Sequence, residues 1–212
     1  MKMARRGRSR LILVLGGAAS GKSQMALDLA RGLAPSQGVP VPVQRGQTPG
    51  ARREPLGRTT DAGKGVSPRF AFVATGQALD HEMKVRIERH RATRSPDWET
   101  AEVSTDLADW FRDNSKNYHV VVLDCLTLWL SNLQGQRLRD VAVFKATTDL
   151  LQSIRTTRAR VVVVSNELGL GLVPATKAVR AFRDLAGRVN QQVAAEADEV
   201  YFAVSGLPLK LK

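Results

Sequence analysis

Gly16-Gly17-Ala18-Ala19-Ser20-Gly21-Lys22-Ser23 places G-x-x-x-x-G-K-S between an apolar run, Leu11 to Leu15, and a helix-forming stretch. The chemistry of that spacing is triphosphate binding. Gly16 and Gly21 let the backbone turn so that successive N–H groups face an anion, and the helix that follows adds the positive end of its dipole. Lys22 is placed to reach the β and γ phosphates, and the Ser23 hydroxyl to ligate Mg²⁺. A nucleoside triphosphate bound with Mg²⁺ is the expectation.

In an open parallel sheet, ligands sit at the carboxyl ends of the strands, so the residue after each apolar run matters most. Those positions are Thr75-Gly76-Gln77, Asp124, Ser165-Asn166-Glu167 and Ser205-Gly206. Asp124 follows Val120 to Leu123 and suits a metal partner of the bound triphosphate, directly or through water. Its alternative is to cap a helix over 125–133. Glu167 reads as a second metal partner, as an acid near an acceptor hydroxyl, or as an ordinary loop carboxylate. His90 has Arg86 and Arg94 one helical turn away and Arg89 and Arg91 beside it. Cations favour the neutral, nucleophilic imidazole and attract phosphate. The same charge run also describes a solvated helix face.

The elements that must position these groups are legible as a βαβ series. Leu11 to Leu15, Phe70 to Ala74, Val120 to Leu123, Val161 to Val164 and Val200 to Val204 are mostly continuous apolar runs, the mark of strands covered on both faces. Lys22 to Leu33, Leu79 to Arg91, Val141 to Arg155 and Thr176 to Ala197 are long and periodic enough for helices. The expectation is an α/β protein with a mainly parallel central sheet flanked by helices. Residues 35–68 break the pattern: rich in Pro, Gly and Arg, without periodicity, they read as a mobile insertion in a single domain spanning 11–212. A solvated loop is favoured there over a lid or docking segment.

The chain has 212 residues and a net charge of +12, which raises the question of a nucleic-acid partner. The charge is concentrated outside the likely core: the tail 1–10 holds +5 and the stretch 35–68 another +3. No basic stripe interleaves with aromatics in the rest, so a RecA-like nucleic-acid-dependent ATPase is disfavoured and no nucleic acid is expected. Cys125 is the only cysteine, which excludes an intrachain disulfide and a cysteine-built zinc cage. The first twenty residues imitate a secretory signal, but the apolar part is too short and the small residues belong to the phosphate loop. No run is long enough to span a membrane, and a cytoplasmic protein is expected.

Several blocks in one order carry a resemblance: GGAASGKS, VATGQALDHEMKVRIERH, DWETAE, LDCLTLWLSNL, SNELGLGLVP, FRDLAGRVNQ and VSGLPLKLK. Together they resemble the bifunctional adenosylcobinamide kinase and adenosylcobinamide-phosphate guanylyltransferase family of cobalamin biosynthesis. The resemblance implies a RecA-like P-loop NTPase fold and two reactions. The γ-phosphoryl of ATP or GTP goes to the aminopropanol hydroxyl of adenosylcobinamide. A histidine then takes GMP from GTP and passes it to the cobinamide phosphate, giving adenosylcobinamide-GDP. By position in RIERH, the guanylylated histidine corresponds to His90, with Lys22 as the other catalytic group. The same carry-over makes Thr75, Gly76, Gln77, Arg91, Ala92, Thr93, Arg94, Glu102 and Asp124 nucleotide contacts beside the loop 16–23. It also implies a homo-oligomer, often a trimer, with a corrinoid substrate.

Two features depart from the family pattern. The insertion at 35–68 is not typical, and Ala19 stands where an arginine is common. A kinase of another small metabolite would share the loop and Asp124. A GTPase switch is discounted, because the D-x-x-G of Asp184 to Gly187 falls inside a helical pattern and N-K-x-D is absent.

Overall fold

A computed structural model describes residues 9–32, 69–92 and 95–212, without the side chains of Arg86, Arg89, His90 and Ala92. The insertion 35–68 and residues 1–8 of the basic tail lie outside the described residues. The strands are β1 (Leu11–Gly16), β2 (Phe70–Ala74), β3 (Trp98–Glu102), β4 (Val120–Asp124), β5 (Arg160–Asn166), β6 (Glu199–Val204) and β7 (Leu207–Lys210). The helices are α1 (Lys22–Ala30), α2 (His81–Ala92), α3 (Leu107–Asn114), α4 (Leu126–Gly135), α5 (Asp140–Thr156) and α6 (Lys177–Glu196).

One seven-stranded sheet runs in the order β3-β2-β4-β5-β1-β6-β7. All pairings are parallel except β6 with β7. The five strands expected from apolar runs are all present and central, as strands buried on both faces should be. Along β1 the side chains alternate between two cores. Leu11, Leu13 and Leu15 join Phe111, Trp129, Leu150, Ile154, Leu185 and Val189 beneath α3 to α6, while Ile12 and Val14 join Met25, Ala26 and Leu29 of α1. Helices therefore cover both faces of the sheet, and β5 separates the loop-bearing strand β1 from β4, which carries Asp124. The expected α/β architecture with a mainly parallel, helix-flanked sheet and a P-loop after the first strand is what the chain adopts.

The elements that were not anticipated are the short peripheral ones. β3 is an edge strand whose residues, apart from Trp98, are mostly exposed. α3 is only eight residues long. β7 returns from β6 through Ser205 and Gly206, which have φ of 51° and 80°, the left-handed pair of a two-residue hairpin turn. Helix α2 begins two residues later than expected because the Asp80 side chain accepts a hydrogen bond from the Met83 amide at 2.7 Å, capping its first turn.

Candidate nucleotide site

The phosphate loop is closed by contacts that leave no room for side chains at two of its glycines. A Cβ on Gly16 would stand 2.4 Å from Ser20 Oγ and 2.9 Å from the Ala203 carbonyl oxygen. Gly21 has φ of +86°, and a Cβ there would lie 3.1 Å from Gly206 Cα. Gly17, by contrast, faces open space. Ala19 has φ of 54°, so this loop holds a non-glycine residue in the left-handed region. The β6–β7 turn braces the loop from outside, with the Gly206 amide donating to the Ser20 carbonyl at 3.0 Å. The Glu167 amide donates to the Gly16 carbonyl at 3.1 Å and ties the loop to the end of β5.

Inside this frame Lys22 Nζ donates to the Gly17 carbonyl at 2.9 Å, which holds its ammonium over the loop. Ser20 Oγ is buried with no hydrogen-bond partner among the described residues, a polar atom available to an incoming anion. Ser23, half-buried, is the second residue of α1. Lys22 and Asp124 line one hollow of about 190 Å³, with Gly76, Glu102 and Asn166 on its polar side and Phe72, Met83, Ile87 and Leu128 among its apolar walls. A second hollow of about 300 Å³ shares Gly76, Ile87 and Glu102 with it and adds Gln77 and Ser104. The fold thus gathers Lys22, Gly76, Gln77, Glu102 and Asp124 around two adjoining spaces.

Asp124 is not a helix cap. The N-cap position of α4 belongs to Cys125, and no side chain caps it. Asp124 is instead held by its neighbour strand. Thr75, fully buried, donates through its hydroxyl to the Cys125 carbonyl at 2.7 Å and accepts from the Cys125 amide at 2.9 Å. The Thr75 amide donates to the Asp124 carbonyl at 3.1 Å. Thr75, expected as a nucleotide contact, is therefore placed as a support for the Asp124–Cys125 backbone. Asn132, which the sequence did not single out, donates to the Thr75 and Ser104 carbonyls at 2.8 and 2.9 Å and locks both loops of the site to α4. Burial first, and then the charge of Asp124, push the Cys125 thiol up to about 11, so this buried thiol stays protonated at neutral pH.

Arg91 and Glu102 form an ion pair between the end of α2 and the end of β3. His90 lies on α2 immediately before Arg91. The remaining expected contacts, Thr93 and Arg94, lie outside the described residues, as do the side chains of Ala92, Arg86 and Arg89. Glu167 Oε1 accepts from the Gly169 amide at 2.8 Å and lines a different, larger cleft. The apolar wall of the site had a signal in the sequence, Met83 and Ile87 one turn apart on a helix. Asn132, Asn166 and the bracing role of Ser205-Gly206 depend on chain crossings that no local pattern shows.

A glycine-lined anion loop at the end of a parallel strand, a lysine over it and a carboxylate across it define a P-loop nucleotide-binding α/β protein. The sequence model described as cobinamide kinase / cobinamide phosphate guanyltransferase matches residues 59–211. The bifunctional adenosylcobalamin biosynthesis protein CobU of Escherichia coli K12 is 36% identical over 175 residues, covering 77% of this chain and 97% of that one. The protein of the same name from Salmonella typhimurium is 35% identical over the same coverage. The bifunctional adenosylcobalamin biosynthesis protein CobP of Pseudomonas aeruginosa is 35% identical over 204 residues, 94% of this chain and 96% of that one. This chain belongs to the cobinamide kinase / cobinamide phosphate guanyltransferase family. Among solved structures, a KaiC-like protein of Pyrococcus horikoshii has a TM-score of 0.44 at 9% identity, over 92% of this chain and 71% of that one. The RadB recombinase has a TM-score of 0.41 at 14% identity, over 91% and 73%.

Proposed function

We propose that this chain phosphorylates adenosylcobinamide with ATP or GTP and then converts the product to adenosylcobinamide-GDP by way of a guanylylated His90. The observation that carries the reading is the shared hollow of Lys22, Asp124 and Glu102, built beside the phosphate loop and bordered by the helix that bears His90. In the first reaction the acceptor oxygen bonds to the γ-phosphorus, the bond to the β,γ-bridging oxygen breaks, the nucleoside diphosphate leaves, and the hydroxyl proton is released. Phosphoryl transfer of this kind needs positioning and charge neutralisation above all. The loop amides and Lys22 supply both. In the second reaction an imidazole nitrogen of His90 bonds to the α-phosphorus of GTP and pyrophosphate leaves. A phosphate oxygen of the cobinamide phosphate then displaces the imidazole. Arg91, next to His90 in the sequence, stabilises the leaving pyrophosphate in this reading, with Arg86 and Arg94 as further cations of the same stretch.

Mg²⁺ fits the donor set. Ser23 offers a hydroxyl at the start of α1 and Asp124 a half-buried carboxylate across the hollow, both hard oxygen ligands, and the remaining positions would be filled by phosphate oxygens and water. When bound, the ion neutralises phosphate charge.

Thr75 acts here as a positioning residue, while Gly76, Gln77 and Glu102 face the nucleotide. The protein works as a homo-oligomer, a trimer by analogy with the resemblance, in the cytoplasm and without a nucleic-acid partner. None of the described helices is long and apolar enough to cross a membrane. Incubation with α-labelled GTP tests the reading. Wild-type protein should acquire an acid-labile, base-stable label that His90→Ala loses, and label retained in that variant excludes His90 as the nucleophile.

A further inference from the structure

Helix α6 carries a glycine, Gly187, in the middle of its span, where glycine weakens a helix. Its backbone does not adopt the left-handed region, and a Cβ there would meet nothing within 4 Å. Neither conformation nor packing accounts for it. What lies against it is a cleft of about 620 Å³, more than three times the volume of the Lys22–Asp124 hollow and within the range of small-ligand sites. The two spaces open on opposite sides of the sheet. Leu15, in the cleft, belongs to the core beneath α3 to α6, whereas Phe72 and Cys125 of the nucleotide hollow belong to the core beneath α1. Both nevertheless meet at the phosphate loop, because Leu15 directly precedes it and Glu167 is hydrogen-bonded to Gly16.

The cleft has one unanswered polar group. Asn190 is 4% exposed, and its Nδ2 donates to the Asn166 carbonyl at 3.0 Å. That bond fixes which way the amide points, and it leaves Oδ1 buried without a partner. A buried carbonyl oxygen without a donor is costly, so a ligand N–H is its natural complement. Arg183, mostly buried, lines the same wall with its Nε only 3.9 Å from Asp184, and its guanidinium retains donors for a carbonyl oxygen. Arg188 is turned toward α5, where it meets Asp140 at 3.7 Å and the Phe144 ring.

A buried acceptor and a guanidinium on one wall of a cleft are together the complement of primary carboxamides. A corrin carries such amides around its rim. We propose that the cleft between the end of β5 and α6, lined by Glu167, Gly169, Arg183, Gly187 and Asn190, is the acceptor site and receives one amide-bearing edge of the corrinoid. An amide N–H bonds to Asn190 Oδ1 and an amide carbonyl to Arg183, and the aminopropanol arm passes over Gly16 to the phosphate loop. The assignment rests on the function proposed above and adds the substrate's location, on the opposite face of the sheet from the nucleotide hollow.

The test uses the full chain and adenosylcobinamide. Gly187→Leu fills the cleft from a position with free space, and the affinity for adenosylcobinamide should fall about tenfold or more, a change of one decade in Kd or beyond. Guanylylation of the same variant by GTP, which needs no acceptor, reports that its nucleotide site is intact. Unchanged corrinoid affinity overturns the site. Hydrogen exchange on wild-type protein gives an answer that depends on no variant: adenosylcobinamide should protect amides in 167–171 and 183–194. Protection confined to 76–92 overturns the proposal. Wild-type protein that neither takes a guanylyl label nor binds the corrinoid defeats the functional reading itself, whereas labelled protein with its corrinoid bound elsewhere defeats this site alone.

Discussion

The glycines of the phosphate loop are not equivalent, and substitution separates them. Gly16→Ala forces backbone or Ser20 to move, since the added Cβ would fall 2.9 Å from the Ala203 carbonyl oxygen, and nucleotide affinity should be lost. Gly21→Ala places an L-residue at φ +86° and should cost about 1–2 kcal/mol in urea unfolding. Gly17→Ala adds a methyl to open space, so its unfolding midpoint should match wild type. Thr75→Val keeps the shape but leaves the buried Cys125 amide without its acceptor, at a cost of about 1–3 kcal/mol. Because the same hydroxyl holds the backbone beside Asp124, turnover should fall as well, with Thr75→Ser recovering most of it. Cys125 should resist thiol reagents at pH 8 in the folded protein and react once it is unfolded, since burial keeps the thiol protonated. The motif in the sequence made Gly16, Gly21, Lys22 and Ser23 legible because their chemistry is local. Thr75 was legible only as a residue at a strand end, because its bond partners come from fifty residues away.

Among the elements, β6 and β7 carry the least visible duty. Their turn supports the loop through Gly206, and Glu199 on β6 fastens the pair to Arg10, just before β1. Burial opposes ionisation of the Glu199 carboxyl, but hydrogen bonds from Tyr201, Lys210 and Arg10 outweigh it and hold the group down at about 2. A depressed carboxylate stabilises the fold above its unfolded pKa, near 4.5, and the contribution fades as pH falls through about 2. Glu199→Gln should therefore lower stability at pH 7, by a few kcal/mol at most, on the order of 3. The difference from wild type should shrink steadily between pH 4.5 and pH 2 in denaturant melts, and a difference that stays constant over that range would contradict the assignment. The central strands were readable because continuous Val and Leu runs fit only a sheet covered on both faces. β3 and β7 were not, since Trp-Glu-Thr-Ala-Glu and Leu-Pro-Leu-Lys owe their pairing to a neighbouring strand and to a turn, not to propensity.

For the molecule as a whole, three of the large apolar side chains left exposed stand close together in one loop. Leu170, Leu172 and Val173 are 78%, 96% and 71% exposed between β5 and α6. Such a cluster is a liability on a lone chain and an asset at a contact between copies. Sedimentation should give a mass that is a multiple of 23.2 kDa, and Leu172→Glu should shift it toward a single chain. The excess positive charge placed by the sequence in the tail and the insertion suggests no core binding face, so any affinity for DNA should be weak and should collapse as salt is raised.

Among the described residues, the strand that delivers the phosphate loop pairs only with β5 and β6, and its loop is steadied by Gly206, in the turn that follows β6. In synthesis, then, the residues of the motif are made well before the turn that braces it. Until residue 206 has emerged, a nascent chain carries the letters of a nucleotide site without its outer brace. A chain cut short before β6 should therefore hold ATP or GTP more weakly than the whole one, a difference that equilibrium titration would read.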